Sequence, residues 1–424
     1  MHTHFSPVQL QDPHLAEVER NLRVCVHCGI CTATCPTYVL LGDERDGPRG
    51  RIVMMQKMLE EGGAPSAETV LHVDRCLSCL ACRTACPSSV DYARLVDEAR
   101  RHIQIHYRRP PFESVLRFLL AKVMTRPALL RIGFALAHAI EPLAKHLPGR
   151  LGVMAKMGAR TKKTKSVGPK PQAPANARRI ALMPGCVQGA MAPGIDAAVA
   201  RVLARRGYEL VPLTGAGCCG SLVHHLGRDE EAKAWAKRAI VAFEEAGPLD
   251  GVLITATGCS AHLKDFAHQF AGDPVWAPRA QHFAAKARDF LDLASPRAAT
   301  PPRRLRVAWQ APCSLQNGLK LAGHGETLLK QAGFEVLSIA EGHLCCGSAG
   351  SYSILQPELS GRLRARKLGN IAATKPDVIA TANIGCLHHL AGDDAPPIVH
   401  LAELVDWAEG GPAPDFLAVM EKAR

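Results

Sequence analysis

The stretches CVHCGICTATCP (25–36) and CLSCLACRTACP (76–87) decide the fold of the first part of this chain. In both stretches the cysteines are separated by two, two and three residues, and the last cysteine is followed by proline. Every cysteine of the first stretch recurs 51 residues later in the second. A duplicated cysteine loop therefore organises the N-terminal region.

The duplicated loop has the ligand spacing that binds [4Fe–4S] clusters in ferredoxins. Three closely spaced thiolates hold three irons of one cube, and the displaced fourth cysteine reaches the other cube. Zinc is the alternative, but its sites usually pair two short Cys-x2-Cys knuckles and lack this triple run. The spacing thus predicts two clusters with crossed ligand sets. They are Cys25, Cys28, Cys31 and Cys86 for the first cluster, and Cys76, Cys79, Cys82 and Cys35 for the second.

The other eight of the sixteen cysteines form a second repeat with a period of 127 residues. In each half an adjacent Cys-Cys pair is followed by glycine. A disulfide between neighbouring residues would be strained, so we expect a third metal or redox site here. The residues alone leave an iron–sulfur cluster, zinc and a metal-free role open. The members of the repeat are Cys186, Cys218, Cys219 and Cys259, then Cys313, Cys345, Cys346 and Cys386.

The long repeat alternates strand and helix patterns, which predicts parallel βαβ units. Each predicted strand leads into a cysteine loop, and loops at the carboxyl ends of parallel strands share one edge of the sheet. The predicted fold class is α/β and multidomain, with a helical two-cluster ferredoxin domain before a duplicated Cys-Cys-Gly domain. The predicted strands are residues 179–183, 208–213, 251–257, 306–310, 335–339 and 377–383.

The two repeats predict four segments along the chain. The net charge of +12 is concentrated in one of them, because residues 100–179 carry a net +16 and the rest carries −4. A local basic block favours contact with an acidic surface over general nucleic-acid binding. With 20 aromatic residues, base-stacking surfaces are scarce, so we expect no nucleic-acid partner. The segments are a two-[4Fe–4S] ferredoxin-type domain (1–99), a basic helical segment and linker (100–177), and two Cys-Cys-Gly domains (178–300 and 301–424).

Apolar residues interspersed with Arg and Lys run from 112 to 147, and Pro127 divides this run into two predicted helices. One interpretation is a helical hairpin packed on the cysteine-rich domains. The other is a peripheral membrane contact of residues 112–179 with anionic lipid. The sequence has no apolar stretch long enough to span a bilayer and no secretory signal at its start. We therefore expect a cytoplasmic location, or a peripheral one on the cytoplasmic face of the inner membrane.

The sequence contains neither a dinucleotide-binding nor a P-loop fingerprint, and it predicts no catalytic residue. The predicted electron carriers thus lack a group that takes hydride from an organic substrate. We expect partner subunits to supply that chemistry with a flavin.

The Cys-Cys-Gly pattern resembles the cysteine-rich domain of heterodisulfide reductases. In that family the last element is Cys-x2-Cys, whereas CSAH (259–262) and CLHH (386–389) end in histidine. His262 and His389 stand where the family has a fifth cysteine, and they are candidate metal ligands or hydrogen-bond donors to ligands. The missing cysteines argue against heterodisulfide reduction.

The order of modules, with GDERDGPRGRI (42–52) between the ferredoxin runs, resembles the iron–sulfur subunits of bacterial glycolate oxidase. The resemblance implies flavoprotein partners that oxidise glycolate to glyoxylate, with electrons crossing this subunit to a membrane acceptor such as quinone. Iron–sulfur subunits of glycerol-3-phosphate or lactate dehydrogenase complexes, and a thiol/disulfide enzyme, are the alternatives. Arg49 and Arg51 in this stretch either influence a cluster or its docking, or form ordinary surface ion pairs.

Overall fold

A computed structural model describes residues 1–139 and 171–417. Its N-terminal part is helical, as the sequence predicts. Three of its helices begin with proline, whose fixed backbone angle suits the first helical turn. The helices are α1 (Pro13–Val24), α2 (Pro36–Leu41), α3 (Pro48–Glu61), α4 (Ala67–Asp74), α5 (Ala81–Ala85) and α6 (Tyr92–His106).

Helices α1, α3 and α6 pack together and enclose the N-terminal core. Leu22, Met55, Leu95 and Ile103 are fully buried there, and several cysteine side chains border the same core. The two cysteine loops therefore rest on a rigid base of helices, which fixes where their thiols point.

The rest of the described chain contains two parallel four-stranded sheets, which confirms the predicted α/β class. The first sheet has the order β2-β1-β3-β4 and the second the order β6-β5-β7-β8. The outermost strands β4 and β8 were not predicted, because runs of two and three residues carry too weak a pattern. The strands are β1 (Arg178–Leu182), β2 (Tyr208–Pro212), β3 (Gly251–Leu253), β4 (Ala287–Arg288), β5 (Arg306–Trp309), β6 (Glu335–Leu337), β7 (Val378–Thr381) and β8 (Ile398–His400).

Helices connect the parallel strands and cover both sheets. In the first half they are α9 (Gln188–Met191), α10 (Gly194–Ala204), α11 (Ser221–His225), α12 (Asp229–Glu245), α13 (Thr257–Lys264), α14 (Phe266–Gln269), α15 (Trp276–Lys286) and α16 (Phe290–Leu293). In the second half they are a π-helix (Ser314–Gly318), α17 (His324–Gln331), α18 (Tyr352–Leu355), α19 (Pro357–Ala372), α20 (Ile384–Leu390) and α21 (Leu401–Ala408).

The two halves share one hydrophobic core, in which α10 of the first half packs against α21 of the second. Buried ion pairs border this contact. Asp406 is paired with Arg201 at 2.6 Å and with Arg205 at 2.9 Å, and Glu409 is paired with Arg206 at 2.5 Å. Removing one partner of such a pair leaves a buried charge uncompensated, so the pairs fix the halves in one arrangement.

The ferredoxin domain touches both halves through polar contacts. Arg94 of α6 makes two hydrogen bonds to Asp265 of the first half, at 2.6 and 2.9 Å. Thr84 of α5 donates to Asn317 of the second half at 2.9 Å. Gly227, with φ of +78°, lies directly against the backbone carbonyl of Arg100 in α6.

The predicted helix break at Pro127 is confirmed, because α7 (Pro111–Val123) ends before it and α8 (Pro127–Ala139) begins with it. One face of α7 packs on both Cys-Cys-Gly halves, through contacts with residues such as Val223 and Ile354. Residues 140–170 of the predicted basic segment lie outside the described part, and the four domain boundaries stay predictions. Within the described ranges, no helix is both long and apolar enough to cross a bilayer.

Gly227 tests how tightly the ferredoxin domain is held against the first half. We expect Gly227→Ala to lower thermal stability, because the new Cβ would overlap the Arg100 carbonyl. The left-handed backbone costs an alanine about 1–2 kcal/mol, and the overlap adds about 1–3 kcal/mol. The measurement is the apparent midpoint of thermal unfolding under anaerobic conditions.

The matched control is Gly247→Ala. Gly247 has nearly the same φ, +81°, but its Cβ would meet no atom within 4 Å. An equal fall of the unfolding midpoint in the two variants would show that the close approach of α6 to Gly227 does not contribute to stability.

Candidate iron–sulfur centres

The first predicted ligand set surrounds a cavity between the two ferredoxin loops. Its walls include the thiols of Cys25, Cys28, Cys31 and Cys86, together with Ile52. Burial raises the pKa of the Cys31 thiol to about 11, and the nearby thiols of Cys25, Cys86 and Cys28 add to this rise. A site that crowds thiols in this way disfavours free thiolates and suits a bound cation cluster, which neutralises them.

The second predicted set adjoins the first, since Cys82 also lines the cavity described above. Burial raises the pKa of the Cys82 thiol, and the thiols of Cys79, Cys76, Cys35 and Cys31 add to this rise. Cys86 of the second loop thus lies near Cys31 of the first, and Cys35 of the first loop lies near Cys82 of the second. The assignment of these thiols to two crossed ligand sets stays a prediction.

Both loops use the same unusual backbone. His27 and Ser78, and likewise Gly29 and Leu80, occupy equivalent positions 51 residues apart, and all four have positive φ values between 52° and 82°. Such strain in non-glycine residues persists where the surroundings require it, often at functional sites. In the second loop, this backbone conformation turns the Ser78 N–H toward the Cys76 Sγ, at 3.5 Å. The backbone thus stabilises negative charge on that sulfur.

A buried ionic network lies behind Cys35. The Arg51 side chain is 1% exposed, with Nη1 3.8 Å from Cys35 Sγ and Nη2 3.3 Å from Asp46 Oδ1. Asp46 also binds His72 at 3.0 Å and Arg75 at 2.8 Å. The interpretation of Arg51 as a surface ion pair is therefore wrong. The partly exposed Arg49 does form a surface ion pair, with Glu44 at 2.7 Å.

Sequence analysis missed Asp46, His72 and Arg75 as part of this site. The one available signal was the density of charged residues in 42–52, between two segments that must bury metal ligands. A carboxylate there needs buried cations as partners, but the sequence does not say which.

In the second half, all four thiols lie at the edge formed by the carboxyl ends of β5, β6 and β7. The Sγ atoms of Cys313 and Cys345 are 3.8 Å apart, and those of Cys346 and Cys386 are 3.4 Å apart. The Gly347 N–H donates to Cys345 Sγ at 3.5 Å.

This second set adjoins the ferredoxin domain. The side chain of Asn317, four residues after Cys313, donates to the Cys79 carbonyl at 2.9 Å. Cys79 and Cys345 border the same small hydrophobic cluster, which also contains Leu77. A buried lysine, Lys367, is near the set, and its Nζ donates to the Glu341 carbonyl at 2.9 Å.

In the first half, the thiols occupy the equivalent edge of the other sheet. Cys186 Sγ lies 3.3 Å from Cys218 Sγ, and the Gly220 N–H donates to Cys218 Sγ at 3.4 Å. The neighbouring thiols of Cys186 and Cys219 lower the pKa of Cys218 by hydrogen bonding to its thiolate. Other thiols of this half, Cys259 among them, are among the largest influences on the pKa values of Cys186, Cys218 and Cys219.

The spacing of the thiols distinguishes the candidate metals. Tetrahedral zinc with Zn–S bonds of about 2.3 Å would place its sulfur ligands about 3.8 Å apart. Within residues 1–139 and 171–417, no three cysteines bring their sulfurs within 4.8 Å of one another. The close thiols therefore occur in pairs and not in groups of three or four. This spacing fits a multinuclear centre better than a single zinc ion.

The two predicted histidine ligands lie in different surroundings. His389 Nε2 is 3.3 Å from Ser360 Oγ and close to Gly347, where a Cβ would come within 3.2 Å of it. His262 is buried against the Phe266 ring and lies next to Gln269 and His224, and burial lowers its pKa well below the ordinary value. His389 therefore borders the Cys-Cys-Gly loop, whereas His262 belongs to a histidine cluster facing α6.

None of the sixteen cysteines forms a disulfide. Exposure differs among them: Cys28 is exposed, whereas Cys218, Cys219, Cys345, Cys346 and Cys386 are buried. The buried pairs are thus poorly placed to exchange with a bulky disulfide in solution, because attack requires access to the sulfur.

Comparisons with known families agree with this architecture. A model of the 4Fe-4S dicluster domain matches residues 24–90, and a model of the cysteine-rich domain matches residues 180–264 and 307–391. A hypothetical protein from Helicobacter pylori of known structure shares the fold, with a TM-score of 0.56 and 9% identity over 96% of this chain and 75% of that one.

Curated relatives extend the match to the whole chain. The glycolate oxidase iron-sulfur subunit of Escherichia coli is 39% identical, over 96% of this chain and 99% of its own. A probable glycolate oxidase iron-sulfur subunit of Bacillus subtilis is 31% identical, over 92% and 95%. Lactate utilization protein A of Exiguobacterium is 28% identical, but it aligns with 54% of this chain. With its dicluster domain and duplicated cysteine-rich domain, this chain belongs to the family of glycolate oxidase iron–sulfur subunits.

Proposed function

We propose that this chain is the electron-transfer subunit of a complex that oxidises glycolate to glyoxylate. The observation that carries the proposal is the similarity to glycolate oxidase iron-sulfur subunits over 96% of the chain. The ferredoxin cysteines that border one helical core support it. The bound clusters would supply one-electron carriers. Flavoprotein partner subunits would supply the group that takes electrons from the substrate.

The proposed ligands of the first cubane cluster are Cys25, Cys28, Cys31 and Cys86. Those of the second are Cys76, Cys79, Cys82 and Cys35. The buried Arg51 cation beside Cys35 favours added electron density at the second site, because a nearby positive charge stabilises the reduced state.

We propose a third iron–sulfur site at Cys313, Cys345, Cys346 and Cys386. The support is its position against Cys79 and the buried Lys367, which offsets thiolate charge. The equivalent thiols of the first half would hold a further centre or serve a structural role. The contact between Asn317 and Cys79 supports an electron path that continues from the ferredoxin domain into the second half.

The chain would meet a membrane acceptor such as quinone through α7 and α8, peripherally on the cytoplasmic face of the inner membrane. Among the described residues, large apolar side chains stand out on these two helices, and they are 40–63% exposed. Exposed apolar patches of this kind mark contact surfaces. The basic segment that follows would attract anionic lipid. The exposed residues are Phe112, Val115, Phe118, Leu119, Leu129, Ile132 and Leu136.

The substrate is tested with the complex purified anaerobically from its own host. We expect glycolate to bleach the absorbance at about 400 nm that iron–thiolate ligation produces. L-lactate or glycerol 3-phosphate should leave it unchanged, since the partner's flavin site selects the donor. Bleaching by lactate instead would support electron transfer through this chain but would contradict glycolate as the substrate of the complex. No bleaching by any donor, with the flavoproteins present, would overturn the relay itself.

The order of sites is tested by a matched pair of variants, Cys345→Ser and Cys218→Ser, which alter equivalent positions of the two halves. We expect Cys345→Ser to leave bleaching by glycolate intact but to slow reoxidation by a soluble quinone at least about tenfold. Cys218→Ser should slow reoxidation less, because the hydrogen bond to the Cys79 carbonyl comes from Asn317 of the second half. Equal slowing in both variants would contradict a path through the second half. Far-ultraviolet circular dichroism, together with bleaching by glycolate, shows that each variant is folded and keeps its ferredoxin clusters.

The membrane contact is tested with vesicles of about 30% phosphatidylglycerol in phosphatidylcholine. We expect the double variant Phe112→Asp/Leu136→Asp to bind at least about tenfold more weakly than the unaltered chain, because two apolar side chains no longer enter the interface. Val275→Asp is the control, since Val275 is 60% exposed but lies elsewhere. Unchanged vesicle binding by the double variant would contradict the membrane contact and would favour a protein partner for this surface.

A further inference from the structure

The cleft between α6 of the ferredoxin domain and α11 of the first half holds side chains that electron transfer does not use. Asp97 belongs to α6, and His224 and His225 end α11. His224 Nε2 lies 3.2 Å from Asp97 Oδ2, and His225 Nδ1 lies 3.8 Å from Asp97 Oδ1. Each residue offers one ligand atom, and the three atoms lie within 4.8 Å of one another. Among the described residues, no other group of three Cys, His, Asp or Glu side chains has ligand atoms this close together.

We propose that Asp97, His224 and His225 bind one divalent transition-metal ion of the zinc class. Imidazole nitrogen and carboxylate oxygen are ligands that zinc prefers, and three protein ligands leave a fourth position for water. The ring centroids of His224 and His225 are 5.6 Å apart and tilted by 55°. The rings are therefore not stacked, and each can direct one nitrogen toward Asp97.

Incompletely satisfied polar atoms in the cleft provide further support. Asp97 Oδ1 and His224 Nε2 are buried and make no hydrogen bond of good geometry, although His224 Nε2 lies 3.2 Å from Asp97 Oδ2. Buried polar atoms are normally satisfied, and an exception calls for an unseen ion or water. A bound metal would satisfy both atoms at once. Gln269 lines the same cavity, and its unpaired Oε1 would accept a hydrogen bond from a metal-bound water.

The surrounding charges permit a cation. Two arginines line the cavity, but each is paired with a carboxylate: Arg94 with Asp265 at 2.6 Å and Arg101 with Glu98 at 2.7 Å. His225 is 44% exposed, which gives the ion an entry path. Because the ligands come from two domains, the metal would fasten the ferredoxin domain to the first half, beside the Gly227–Arg100 contact.

The test uses the full chain, purified anaerobically with its clusters and titrated with zinc. We expect about one zinc per chain by elemental analysis, counted beside iron. X-ray absorption at the zinc edge should show nitrogen and oxygen neighbours at about 2.0–2.1 Å. A sulfur shell at about 2.3 Å would place the zinc on cysteines and overturn the proposal.

Variants assign the ligands. His225→Ala and Asp97→Asn should weaken zinc binding at least about tenfold, and zinc should raise the thermal midpoint of the unaltered chain but not of His225→Ala. His268→Ala is the control, because His268 lines the same cavity but pairs with Glu17 at 2.9 Å. No zinc bound by the unaltered chain, or full binding by His225→Ala with its iron content intact, would overturn the proposal.

Discussion

Thiols from loops far apart in sequence have to meet around common centres, and this convergence constrains the whole architecture. Crowded thiols resist ionisation when they are buried, as the raised pKa values of Cys31 and Cys82 indicate. A fold can hold them as thiolates only if it supplies positive charge and N–H donors. Arg51, on α3, supplies positive charge beside Cys35. The tight turn at Ser78 supplies an N–H donor to the sulfur of Cys76. The parallel sheets serve the same need, since each delivers four thiols to one edge.

Duplication gave two halves with the same strand order, and their contacts make them different. The second half meets Cys79 through Asn317, whereas the first half meets α6 through His224 and Asp265. His262 and His389 occupy the same place in the repeat but face, respectively, a histidine cluster and a Cys-Cys-Gly loop. Equivalent positions in a duplicated domain therefore need not share a role, because the neighbouring domain decides what each one touches.

Much of the fold followed from patterns that are local in sequence. Cysteine spacing indicated the crossed grouping, alternation of strand and helix predicted the sheets, and Pro127 marked a helix break. What escaped prediction depends on contacts between distant segments. Nothing in the sequence places Asp46 within reach of His72 and Arg75, because that meeting depends on how segments pack within the ferredoxin domain. Nor does it place Asp97 beside His224, because that meeting depends on how two domains dock. The short strands β4 and β8 also escaped, since they pair at sheet edges and carry no period of their own.

The docking surfaces explain why such polar contacts are used. A purely apolar interface would bury more surface but would tolerate sliding, because apolar contact has no direction. The pairs Arg94–Asp265 and Thr84–Asn317 have fixed geometry, and the carbonyl of Arg100 against Gly227 admits no side chain. These contacts reach both halves of the repeat, so they hold the ferredoxin domain against each half. A relay between centres depends on constant separation, and directional contacts to both halves maintain it better than apolar packing alone.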